Sequence, residues 1–134
     1  MSHKEAFINL LQQFSKELRR MYPNDPYFRF ANVTMTMTDD NMICSYFYQY
    51  ARPFKAEILN KNELFFLHSE DITKKKKISS WTHKMIDTLR QYWTGMDDET
   101  KQTTWTYLTV LFKLSEKAYQ EQKDLIVPVQ YNKK

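Results

Sequence analysis

Val33-Thr34-Met35-Thr36-Met37-Thr38 is the stretch on which the fold class turns. It alternates in polarity and is rich in β-branched residues, so it has the look of a strand. Its neighbours favour a helix. Asp25-Pro26 just upstream has the form of an N-cap followed by a proline in the first helical position. A helix from there would turn Phe28, Ala31 and Met35 inward. A strand here would need a partner, and no partner strand is evident nearby. The chain also has only one glycine, Gly95, among 134 residues. Hairpin turns lean on glycine, so a hairpin-rich β fold is disfavoured. The expectation is all-α: a single compact domain of five or six helices.

The flanking sequence reads the same way. Ser2-His3-Lys4-Glu5 matches a capping box. Phe7, Leu11, Phe14, Leu18 and Met21 then recur on one helical stripe, and Pro23 ends it. After the cap cluster at 38–41, Met42, Ile43, Tyr46, Phe47 and Tyr50 recur at helical spacing. Pro53 opens a short helix through Phe54, Ile58 and Leu59, followed by a loop or kink at 60–62. A further helix is expected from about Ile78 to Thr94, with Trp81, Met85, Leu89 and Trp93 on its stripe. Gly95 occupies the place of a C′ glycine. Asp97, Asp98 and Glu99 open the last long helix, whose stripe is Trp105, Leu108, Leu111, Phe112, Ser115 and Tyr119. These last two helices form the expected C-terminal antiparallel hairpin. The domain spans 1–123, with a charged linker at about 69–77 inside it and a tail at 124–134.

Composition narrows the function. Lys+Arg 20 against Asp+Glu 16 gives a net charge of +4, mildly basic and mixed. Cys44 is the only cysteine, so no internal disulfide forms and a reducing compartment is expected. The N-terminus lacks the apolar core of a signal peptide and no stretch is long enough to span a membrane. The protein is read as neither secreted nor membrane-inserted, with the Asn32-Val33-Thr34 sequon unused. With one glycine there is no phosphate-cradling loop. His3, His68 and His83 lie far apart with no cysteine beside them, so no metal and no cofactor is expected. The acidic clusters Asp39-Asp40 and Asp97-Asp98-Glu99 precede helices and read as caps, not as a catalytic pair. Cys44 with His68 or His83 has no local signature of a nucleophile, and Cys44 reads as a small buried group. No enzyme is expected.

Three segments remain for binding. Leu64-Phe65-Phe66-Leu67 covers more than half of a helix circumference, where a surface helix buries about a third. Either protein surrounds this turn, or Phe65 and Phe66 wait for a partner. Leu125, Ile126, Val127 and Val129 follow the last helix, where a tail is ordinarily polar, and Pro128 favours an extended segment there. That tail either covers its own core or docks a partner. Lys74, Lys75, Lys76 and Lys77 form a solvated linker or a weak, salt-sensitive nucleic-acid patch working with nearby aromatics. The Tyr46-Phe47-Tyr48-Gln49-Tyr50 cluster beside Arg52 reads as core packing more readily than as a base-stacking platform. A protein partner or homo-oligomer is expected; nucleic acid is the alternative.

Tyr50-Ala51-Arg52-Pro53-Phe54-Lys55, with the run Ile58 to Leu67, resembles small helical proteins encoded by nucleocytoplasmic large DNA viruses. The likeness continues at Leu89-Arg90-Gln91-Tyr92-Trp93, at Trp105-Thr106-Tyr107-Leu108 and from Leu111 to Lys117. It covers about half the chain. It implies an origin in a giant virus and no activity; together with the apolar segments above, the expectation is a non-enzymatic interaction or assembly protein acting in the host cytoplasm (the viral factory) or in the virion.

Overall fold

A computed structural model describes residues 2–67 and 80–132, with backbone only at 32, 34, 36, 67, 80–83 and 123–132. All regular structure among the described residues is helical. Helix α1 is His3–Met21 and opens on the expected capping box. The Glu5 amide donates to Ser2 Oγ at 3.1 Å and the Ser2 amide to Glu5 Oε1 at 2.9 Å. Phe7, Leu11, Phe14 and Leu18 are all buried, as the stripe predicts.

Helix α2 is Pro26–Thr36, so the alternating segment is helical over 33–36, with Met37 and Thr38 in the turn that follows. Asp25 caps it, accepting from the amides of Tyr27 at 2.9 Å and Phe28 at 3.3 Å. Asp25 also accepts the Tyr92 hydroxyl at 2.6 Å, while the Tyr92 ring stacks on Tyr22 at 4.1 Å. That hydrogen bond to a carboxylate is the main reason the Tyr92 phenol is pushed up to about 12. Phe28, Ala31 and Met35 are buried, against α1. Helix α3, Asp40–Ala51, is capped by Asp39, which accepts from the Met42 amide at 3.2 Å. It buries Ile43, Cys44, Phe47, Tyr50 and Ala51.

A 3-10 turn, Arg52–Phe54, leads into α4, Lys55–Leu59. The loop after α4 closes by a Schellman motif: the Asn62 amide donates to the Glu57 carbonyl at 2.8 Å and the Lys61 amide to the Ile58 carbonyl at 3.2 Å. Lys61 takes the left-handed position, with φ of 53°. Gly95, expected in that role, does not have positive φ. The turn at Gly95 closes by i→i−3 bonds, Gly95 to Tyr92 and Met96 to Trp93, each 3.1 Å. This tighter geometry satisfies the last carbonyls without a left-handed residue.

Helix α5 is Leu64–Leu67, α6 is Ser80–Trp93 and α7 is Asp98–Asn132. The short turn joins α6 to α7 as expected, and the two touch near it through Trp93 and Trp105, ring centroids 5.3 Å apart. Beyond the turn they serve different neighbours. Helix α6 packs chiefly on α5, α3 and α2, while α7 packs chiefly on α1 and α3. One continuous core runs from Phe7 to Ala118. Its aromatic centre is Phe66, stacked on Trp93 at 4.2 Å and tilted against Trp105 at 5.2 Å.

Glu63 ties this centre together from outside. It accepts from Trp93 Nε1 at 3.1 Å and from Lys101 Nζ at 3.0 Å. The Lys101 ammonium also lies 5.3 Å from the Trp93 ring centroid. The Lys101 hydrogen bond, above all, holds the Glu63 carboxyl below its usual 4.5. A depressed carboxyl contributes stability that is fully present above its unfolded value and is lost as pH falls through its folded value. Glu63→Gln should therefore lower the melting temperature at pH 7. The gap from wild type should close as pH falls below about 4.5. A gap that stays constant down to low pH in thermal scans would contradict this role.

Candidate interaction surface

A second apolar stripe lies on the opposite side of α2 from the core. Phe30, Val33 and Met37 are spaced i, i+3, i+7 and are 58%, 53% and 81% exposed. Met37 lies one residue beyond the end of α2 and is still bonded to it, its amide donating to the Val33 carbonyl at 3.3 Å. Met42, at the start of α3, is a further exposed apolar residue nearby in sequence. The strand-like alternation at 33–38 is thus two helical stripes overlaid. Met35 faces in, while Val33 and Met37 face out. Scattered exposed apolar residues need no explanation, but a row of three on one helix face does.

The start of α2 is basic. Lys16, Arg19, Arg20 and Arg29 line one open cleft with Pro23 and Asn24. Arg20 is paired with Glu17 at 2.7 Å. Arg29 reaches across to the apolar stripe, its guanidinium carbon 5.7 Å from the Phe30 ring centroid. The end of α2 is acidic, with Asp39 and Asp40 both exposed. Arg19 and Arg20 also lie in the last turn of α1, where cations suit the helix dipole. The signal missed was the second apolar series, which shares its residues with the β-like alternation.

The residues singled out from sequence fall elsewhere. Phe65 and Phe66, offered as partner contacts, are buried, and this is a correction. Helix α5 lies against α4 and α6, so the side of the turn that carries Phe65 and Phe66 faces protein. Phe65 packs edge-on to Phe54 and to Phe66, at 5.6 and 5.0 Å. Leu64 is half exposed. The extended tail is a second correction: the backbone is helical as far as Asn132. No glycine or proline stands between Gly95 and Pro128, so the hydrogen-bond ladder meets no break before Pro128. Leu125, Ile126 and Val127 lie on this helix, described as backbone only. Lys74, Lys75, Lys76, Lys77 and the rest of the expected linker fall outside the described residues, as does His68.

The polar candidates make local contacts. Asp97 caps α7, accepting from the Thr100 amide at 2.8 Å, and the hydrogen bonds from Thr100 hold its carboxyl below the usual range. His3 Nδ1 lies 2.5 Å from Glu121, joining the start of α1 to α7. Burial pushes the Cys44 thiol up to about 12, so at neutral pH it is no thiolate nucleophile. Cys44 lines a cleft of about 200 Å³ with Lys4, Ser45 and Tyr119. Tyr48 leans on Phe112 and Tyr119 of α7, and Phe47 and Tyr50 are buried. The aromatic cluster is therefore core packing. Among the described residues no three metal-ligating side chains gather, and no helix is long and apolar enough to cross a membrane. No family model matches the chain, and no curated protein or solved structure matches it.

Proposed function

We propose that the chain is a non-enzymatic interaction module whose working face is the outer side of α2. The observation that carries this is the double stripe. Phe28, Ala31 and Met35 already bury α2 against the core, yet Phe30, Val33 and Met37 keep a second apolar row in water. Exposed apolar area is costly to keep on a soluble surface and is what a docking face offers. The likeness of 50–117 to proteins of large DNA viruses supports a place for such a module in assembly, in the infected cell's cytoplasm or in the particle. A photo-cross-linking residue at Val33 in the full chain, expressed in cells, tests the reading. It should capture protein, while the same probe at exposed Gln120 on α7 should not. Equal capture at both positions, or none at Val33, would overturn it.

One observation favours nucleic-acid association as a second reading. Four cations line the cleft beside Phe30, a combination suited to phosphates and a stacked base. Salt separates the two readings. Phosphate binding falls steeply as salt rises, and apolar docking does not.

A further inference from the structure

We propose that the partner on this face is a second copy of the same chain, packed α2 against α2 in antiparallel fashion about a two-fold axis. The inference rests on the docking face described above and names its occupant.

The face is complementary to its own reverse. Along α2, Arg29 and Phe30 stand at one end, Val33 in the middle, and Met37 with Asp39 and Asp40 at the other. Turning a second copy end over end brings its Met37 against Phe30 of the first. Each Val33 then lies near the axis. A thioether on an aromatic ring is a favourable pairing, and in an isologous interface every contact forms twice. Charge selects the same direction. The cations Lys16, Arg19, Arg20 and Arg29 gather around the start of α2, and Asp39 and Asp40 are exposed just past its end. Antiparallel packing sets the basic end of each copy against the acidic end of the other. Parallel packing would set like against like, which is unfavourable. An unrelated partner helix would not require the two ends of this face to complement each other.

The size of the face sets the strength. Helix α2 has 11 residues, about 16 Å of length at 1.5 Å per residue. Three side chains on it fall short of the roughly 800 Å² per partner of a standard stable interface. The dimer is therefore reversible, with a dissociation constant in the micromolar range.

Sedimentation of the full chain over a wide concentration range at low salt tests this. Wild type should shift from monomer to dimer. Phe30→Ser with Met37→Ser should weaken association about tenfold or more, with an unchanged melting temperature, because neither side chain is in the core. Arg29→Glu and Asp40→Arg should each weaken it, and the two together should restore it. That recovery is specific to the antiparallel register. The inference is overturned if wild type stays monomeric into hundreds of micromolar, if the Phe30/Met37 variant associates like wild type, or if the double charge exchange fails to recover. A monomeric wild type whose Val33 probe still captures a different protein would remove the second copy and keep the docking face. Failure of the Val33 probe to capture anything would remove the docking face itself.

Discussion

Trp105→Ala should destabilise the protein by about 3–5 kcal/mol, read as a lower urea midpoint followed by helical circular dichroism. The indole is buried, edge-on to Trp93 at 5.3 Å and tilted against Phe66 at 5.2 Å. Truncating it loses the transfer energy of a large ring and leaves a cavity. The neighbours cannot easily fill that cavity, because they are rings held in place by other contacts. Phe66 is already stacked on Trp93, and Trp93 is tethered by its indole N–H to Glu63. A domain of this size has about 5–15 kcal/mol in total. The variant should therefore be marginal, with a raised unfolded fraction at physiological temperature. Trp105→Phe keeps an aromatic edge and should recover much of the loss. A Trp105→Ala midpoint equal to wild type would show that the two tryptophans do not form the centre of the core.

Local signals were legible where one residue answered to one role. The capping box at Ser2, the caps at Asp25, Asp39 and Asp97, and the inner stripe of α1 all follow from short-range chemistry. The signal failed where two roles shared one segment. At 33–38, an inner and an outer helical series interleave, and their sum has the period of a strand. At Leu64–Leu67, the composition told that the turn was unusually apolar but not what surrounded it. That depended on α6, which follows in sequence only at Ser80. At Lys61, a left-handed residue went unread because glycine is the usual occupant. The only glycine in the chain sits at a turn that does not need it. The basic cleft was hidden for a related reason. Lys16, Arg19 and Arg20 lie on α1 and Arg29 on α2, so the cluster exists only once those helices meet.

Phe66→Ala should cost about 3–5 kcal/mol, while Leu64→Ser, two residues away, should stay within about 0.5 kcal/mol of wild type. The contrast follows from the short helix they share. Phe66 is fully buried, with its ring stacked on Trp93 at 4.2 Å, whereas Leu64 is 50% exposed. If the turn served a partner and not the core, the two changes would rank the other way: Leu64→Ser would disturb association and Phe66→Ala would leave stability alone. The core reading makes a further demand. Phe66 and Trp105 touch, so each single variant already empties part of the same space. The double variant should then cost less than the sum of the two, by about 0.5–3 kcal/mol. Urea melts of the wild type, both single variants and the double give this coupling directly. Additive losses would mean that Phe66 and Trp105 stabilise separate parts of the fold, and the single aromatic centre joining α5, α6 and α7 would have to be abandoned.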